Sequence, residues 1–160
     1  MFWNNEDSLI GKARKLAYSA HKGQTRWGGE PFIVHPKGVV EKLRDREIQD
    51  RVWLTKLVHL EEGAKHDYYV VAWLHDVVED TEYTLGDLLD LGFDYHIVQA
   101  VDAITRRDDE DYLEYILRVR GNGIAREVKI SDIEHNLESF NTKKNKSRAD
   151  KYRLAIEVLK

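Results

Sequence analysis

A chain of 160 residues, 42% hydrophobic and 34% charged, has room for one hydrophobic core and little for a second. The net charge of −4 disfavours a general nucleic-acid binder, and no stretch reaches the roughly 18–20 uncharged residues of a membrane span. With no cysteine, disulfide frameworks and thiolate metal sites are excluded, so any metal must be held by nitrogen and oxygen.

The first seven residues show no basic segment followed by an apolar run. No signal peptide is therefore expected, and a cytoplasmic location is the simplest expectation. Charge is unevenly spread: residues 1–46 balance at +4, residues 47–111 at −12 and residues 112–160 at +4. An acidic middle between basic ends suits a carboxylate-held metal flanked by cations, and it equally suits solvated helix faces.

Two prolines and repeated helical periodicity predict an all-α chain. Ser8 is placed to cap a helix to about His21, with Leu9, Ala13, Leu16, Ala17 and Ala20 along one side and Gly23 as its stop. A loop over 22–35 ends at His35, and Pro36 suits the first turn of the next helix, which Val39, Val40 and Leu43 carry towards Arg46. A further amphipathic stretch, roughly 48–61, contains Ile48, Val52, Trp53, Leu57 and Leu60. The most apolar segment, Tyr68–Val78, reads as a central helix, broken off from what precedes it by Gly63 and capped by Asp67. Thr84 and Asp94 are candidate caps for helices over 85–91 and 95–105. Two more are predicted over about 110–120 and 124–139, before a basic loop Lys143–Arg148 and a terminal helix. No repeat or linker divides the chain, which predicts one helical domain over residues 1–160.

The chemistry is concentrated where polarity interrupts the central helix. Val70-Val71-Ala72-Trp73-Leu74 runs into His75-Asp76, then Val77-Val78, then Glu79-Asp80. On a continuous helix His75 and Glu79 share a face, as do Asp76 and Asp80. Ionised carboxylates entering a core need a partner, and their mutual repulsion makes a cation the natural one. A lone His-Asp pair is more often a salt-bridged helix end. Its companions here are His35, set between Pro31 and Pro36, and Asp132, which follows Val128-Lys129-Ile130-Ser131 and precedes His135-Asn136.

Together these segments resemble the HD superfamily, and within it the hydrolase domains of the Rel/Spo alarmone enzymes and their short stand-alone relatives. The resemblance is carried by Ala20-His21-Lys22-Gly23-Gln24, Gly29-Glu30-Pro31-Phe32-Ile33-Val34-His35-Pro36, Leu74-His75-Asp76-Val77-Val78-Glu79-Asp80-Thr81, Ile104-Thr105-Arg106, and Val128-Lys129-Ile130-Ser131-Asp132 with Asn136, in family order from about residue 12 to 160. It implies a single HD-type helical bundle. It also implies one divalent metal on His35, His75, Asp76 and Asp132, commonly Mn²⁺, with Zn²⁺ or Fe²⁺ compatible with the same donors. Glu79 and Asp80 match the family's acidic pair, which orients and deprotonates the attacking water. Lys22, Arg26, Arg106, Lys129 and Asn136 fall where the family touches its nucleotide. The implied reaction is hydrolysis of the 3′-pyrophosphate of a guanosine polyphosphate by a hydrolase acting alone, as monomer or homodimer, with no nucleic-acid or membrane partner.

Departures from the family pattern leave alternatives open. The connection from His35 to His75 is long, including Arg51–Lys65, and is read as peripheral helix or as a lid. Trp27 stands where lysine is frequent, either as a ring on which a base stacks or as plain loop packing. Phe32 replaces a usual tyrosine. His21 is read as support for its loop, His135 as support or surface, and His59, His66 and His96 as structural or exposed. Beside the alarmone reading stand an HD-type phosphohydrolase for another nucleotide or nucleotide signal, and a non-catalytic nucleotide-binding module.

Overall fold

A computed structural model describes residues 5–49, 62–139 and 143–160. Nine helices are seen among them: α1 (Leu9–Ala20), α2 (Val34–Gln49), α3 (Glu62–Leu74), α4 (Val77–Asp80), α5 (Leu85–Asp90), α6 (Tyr95–Ile104), α7 (Tyr112–Arg120), α8 (Gly123–Ser139) and α9 (Lys146–Leu159). The extended contact among the described residues is an isolated antiparallel bridge between Thr25 and Pro31. The expected all-α class holds. The part of the predicted 48–61 helix beyond Gln49, with Trp53 and His59, lies outside the described residues.

Several helix ends follow from local chemistry. Ser8 caps α1 by accepting from the Gly11 N–H, and the chain then turns through Gly23 at φ +81°. Thr84 and Asp87 form a capping box at the start of α5. Asp111 accepts from the N–H groups of Leu113 and Glu114 at the start of α7. Pro36 sits in the first turn of α2, where its missing N–H costs nothing.

The central helix departs from its predicted bounds at both ends. It begins at Glu62, so Gly63 and Asp67 are interior, and Asp67 pairs with His96 Nε2 at 2.7 Å instead of capping. It also stops at Leu74, because the His75 ring donates from Nδ1 to the Ala72 carbonyl at 2.7 Å. A continuing helix would have offered that carbonyl to the backbone N–H of Asp76. The chain turns through His75–Asp76 and resumes as the short α4, with the Asp80 N–H on the Asp76 carbonyl at 2.9 Å.

Two helices hold the others together. α3 packs on α1, α2, α6 and α8, and α8 packs on α2, α3, α6, α7 and α9. Tyr69 to Leu74 are all buried, as are Ala125, Val128, Ile130 and Ile133 of α8. One connected apolar core runs from Ile10 to Leu159. A polar clamp fixes α2 against α8: Arg46 reaches the Glu127 carboxylate at 2.7 Å and the Ser131 hydroxyl at 3.2 Å.

Leu43 of α2 is fully buried against this core. Leu43→Ala should lower unfolding free energy by about 2–5 kcal/mol, the usual cost of an uncollapsed core cavity. Urea denaturation followed by far-UV circular dichroism measures it.

Candidate metal centre and adjoining cavity

Four side chains from three parts of the chain converge where α2, α8 and the His75–Asp76 turn meet. His35 Nε2 lies 3.3 Å from His75 Nε2 and 3.0 Å from Asp132 Oδ1. His75 Nε2 is 3.9 Å from the same oxygen. Asp76 Oδ2 stands 3.1 Å from His75 Nε2 and 3.5 Å from His35 Nε2. Donors bound at roughly 2.1 Å to one tetrahedral ion sit about 3.4 Å apart, so the observed separations bracket that value. His35, His75 and Asp132 form a compact buried donor group that can hold a metal ion, and Asp76 reaches both imidazoles from a more accessible position. Two imidazoles and carboxylate oxygens are a borderline donor set, fit for a divalent transition metal.

Three of the four donors have a contact behind them. The Nδ1–H bond to Ala72 leaves the lone pair of His75 on Nε2, towards the cluster. Asp132 Oδ1 accepts from Asn136 Nδ2 at 2.8 Å, and its Oδ2 accepts from the Lys129 ammonium at 2.7 Å. His35 Nδ1 faces His135 Nδ1 at 2.9 Å.

The electrostatics match the geometry. Burial opposes charge on His75, yet the carboxylates of Asp76 and Asp132 outweigh it and lift the imidazole to about 9. Burial likewise opposes the Asp76 carboxylate, but His75 and His35 pull it down to about 2. Asp132 is held well below the carboxylate range, against its burial, by Lys129 and His35, and Lys129 in turn is held well above its ordinary value by Asp132. Burial, then the charge of neighbouring His35, pushes His135 down to about 4.

The cluster opens into a cavity of about 350 Å³. Of the site residues expected from sequence, Arg26, Trp27, His35, Asp76, Glu79, Asp80, Lys129, Asp132 and Asn136 line it. Glu79 accepts from the backbone N–H of Arg106 at 2.9 Å and also lines two open neighbouring grooves. Asp80 is raised to about 6 by partial burial and then by the Asp76 and Glu79 charges. Arg26 is 7% exposed, gives Nη2 to Asn136 Oδ1 at 2.7 Å, and stacks over the exposed Trp27 ring. Its Nη1, buried and without a hydrogen-bond acceptor among the described residues, lies 3.6 Å from Glu30.

Two expected substrate contacts fall elsewhere. Lys22 is exposed at the end of α1, outside the cavity lining. Arg106 lines the groove beyond Glu79, its guanidinium donating to the Glu110 carbonyl at 2.7 Å. Phe32, noted for replacing a tyrosine, lines the cavity, as do Thr25 and Tyr152 of α9, which were not singled out; nothing in the α9 pattern marks the tyrosine. His21 supports the loop as expected, bonding Gln24 through Nδ1 at 2.8 Å and stacking on Phe32. His135 stands behind His35, their Nδ1 atoms 2.9 Å apart.

No family model matches the chain. It is similar to guanosine-3′,5′-bis(diphosphate) 3′-pyrophosphohydrolase of Haemophilus influenzae, 28% identical over 155 residues, or 90% of this chain and 20% of that protein. It is also similar to the bifunctional (p)ppGpp synthase/hydrolase SpoT of Escherichia coli, 25% identical over 96% of this chain and 21% of that protein. The chain thus spans about a fifth of the length of these curated relatives. A solved structure of a metazoan ortholog of SpoT that hydrolyses ppGpp shares the fold, with a TM-score of 0.66 and 19% identity over 96% of this chain and 84% of the other. The resemblance to Rel/Spo hydrolases read from the motifs therefore extends along nearly the whole chain. Among the described residues no helix is long and apolar enough to cross a membrane.

A metal ion on Nε2 of His75 must replace the proton that the carboxylates hold there up to about 9. Below that pH binding should release close to one proton, and apparent affinity should climb about tenfold per pH unit from 7 towards 9. Titrating metal-free protein with Mn²⁺ in buffers of differing ionisation enthalpy measures the release.

Proposed function

We propose that this chain hydrolyses the 3′-pyrophosphate of guanosine-3′,5′-bis(diphosphate), with one divalent metal, Mn²⁺ as the first choice, on His35, His75, Asp76 and Asp132. The observation that carries the reading is the meeting, in one cavity, of the donor cluster, the Glu79-Asp80 pair and the buried Arg26. The similarity to named pyrophosphohydrolases over 90% of the chain supports the choice of substrate.

Bound there, the metal would supply Lewis-acid polarisation of a phosphoryl oxygen and lower the pKa of water. The remaining work falls to the chain's own groups. Asp80, with a carboxylate lifted towards 6, is a stronger base than an ordinary aspartate, and Glu79 beside it is raised by burial as well. One of the pair takes the proton of the attacking water while the other holds its orientation. Arg26 lines the cavity and sets its guanidinium charge beside the phosphates, where charge develops as the ester bond breaks. Lys129 balances Asp132, so the donor group adds less negative charge against an anionic substrate. The Trp27 ring lines the cavity and lies against the guanidinium groups of Arg26, 4.6 Å from its centroid, and Arg148, 6.0 Å from it, and so helps to hold cations at the rim.

Trp27 also favours a second reading, in which the chemistry is the same and the nucleotide differs. The ring is 59% exposed at the cavity rim, within reach of whatever occupies the cavity.

The test is release of pyrophosphate from a nucleotide panel with Mn²⁺ and after chelation. Guanosine tetraphosphate should be cleaved in a metal-dependent way, and Asp76→Ala should abolish it. A marked preference for another nucleotide would move the assignment to the second reading, and turnover surviving thorough chelation would remove the metal mechanism. Glu79→Gln should keep Mn²⁺ bound and lose roughly 10²–10⁴-fold in turnover. Because the base must be ionised, rate should fall as pH drops through about 6, or somewhat lower once a cation sits beside Asp80.

A further inference from the structure

The two imidazoles of the donor cluster are anchored by different kinds of group. His75 leans on a backbone carbonyl, an acceptor that cannot change role. His35 leans on another imidazole: its Nδ1 is 2.9 Å from Nδ1 of His135, with ring centroids 5.0 Å apart. Two facing ring nitrogens at that distance share one proton, so one must donate and the other must present a lone pair. A metal on His35 Nε2 takes the lone pair of that atom and places the His35 proton on Nδ1. His135 must then accept on Nδ1 and carry its own proton on Nε2.

The surroundings of His135 are compatible with that arrangement. Ser139 Oγ lies 3.5 Å from His135 Nδ1, but its hydroxyl proton is given to the His135 carbonyl at 2.6 Å, so it does not compete as a donor. The ring rests over Gly38, one turn along α2 from His35. A Cβ at position 38 would collide with the His135 ring, chiefly at Nε2. α2 thus supplies both the ligand and the bare seat for its support, and α8 supplies Asp132 and, three residues on, the support itself.

We propose that His135 is a positioning residue that fixes the tautomer and ring orientation of His35 for metal binding through Nε2, with Gly38 as its seat. The proposal rests on the reading of the cluster as a metal site. Partners of this kind behind a ligating histidine typically govern metal affinity by 10–100-fold.

The experiment uses metal-free full-length chain titrated with Mn²⁺, free ion being read by electron paramagnetic resonance, and with Co²⁺, read by its visible absorption. His135→Leu should bind Mn²⁺ 10–100-fold more weakly and shift the Co²⁺ bands. His135→Asn, whose side-chain oxygen can accept in place of Nδ1, should recover most of both. Gly38→Ala keeps His135 but removes its seat, and should resemble His135→Leu. Thermal unfolding of the metal-free variants reports the fold separately. Wild-type affinity in both His135→Leu and Gly38→Ala would overturn the proposal and leave the metal site standing. A wild-type chain that binds neither ion would remove the metal reading and this proposal with it.

Discussion

His35, His75, Asp76 and Asp132 are tolerable inside this core because they are together. Three of them are almost completely buried, and each has an opposite charge or a lone-pair partner within 4 Å. A single ionised carboxylate at that depth would shift its pKa and neutralise. Here Asp132 stays anionic between Lys129, His35 and Asn136. The crossing of α2, α3 and α8 is consequently constrained from two sides. Apolar surface drives the helices into contact, and the cluster fixes which faces may meet. Removing one member leaves the others as uncompensated buried charge, which is more damaging than the loss of one surface ion pair.

The cavity wall is built differently from the cluster. Residues 24–32 form a short loop closed by backbone bonds from Arg26 to Glu30 and from Phe32 to Gln24, with Gly29 at φ +80° completing the turn. That loop delivers Arg26 inward and Trp27 outward from adjacent positions. On the opposite side, the Thr105–Glu110 segment is tied to the Glu79 carboxylate through the Arg106 N–H, and to α7 through Arg118 on Glu110. Two helices and the turn between two others therefore set the donor group, whereas loops braced by hydrogen bonds set much of the cavity around it. Substitution in those loops can change the cavity wall without disturbing the cluster, and Trp27 lies in one of them.

Much of this was legible in the chain because the signals are local. Ser8 and Thr84 announce helix starts by chemistry contained within four residues, whereas Asp94 stands at the expected helix start without a side-chain capping bond. The apolar run before His75 identifies the central helix, and the matching segments bring distant residues such as His35 and Asp132 into one list. The errors have equally specific causes. Asp67 looked like a cap because its long-range partner, His96, is 29 residues away. The break at His75 was hidden because a side chain, not a proline or glycine, takes the Ala72 carbonyl. The i, i+4 pairing of His75 with Glu79 assumed an unbroken helix. The turn instead aims the imidazole into the buried cluster, while Glu79 lines the cavity and bonds to the Arg106 backbone.

Gly38 shows what sequence pattern cannot deliver. Within α2 it is a helix-weakening residue, costing about 1 kcal/mol relative to alanine, and no turn, cap or positive φ requires it. Its reason lies 97 positions along the chain, in the ring of His135. The pair joins packing to chemistry: the space that the glycine leaves is filled by a group that hydrogen-bonds a metal donor. A helix interface selected for volume alone would favour alanine there, with its better propensity and larger apolar contact. Keeping the backbone bare gives up that stability and lets α8 place Asp132, His135 and Asn136 on one face at the spacing the cluster needs. The site is thus specified partly by a side chain that is absent, a constraint that becomes visible only when the two helices are seen together.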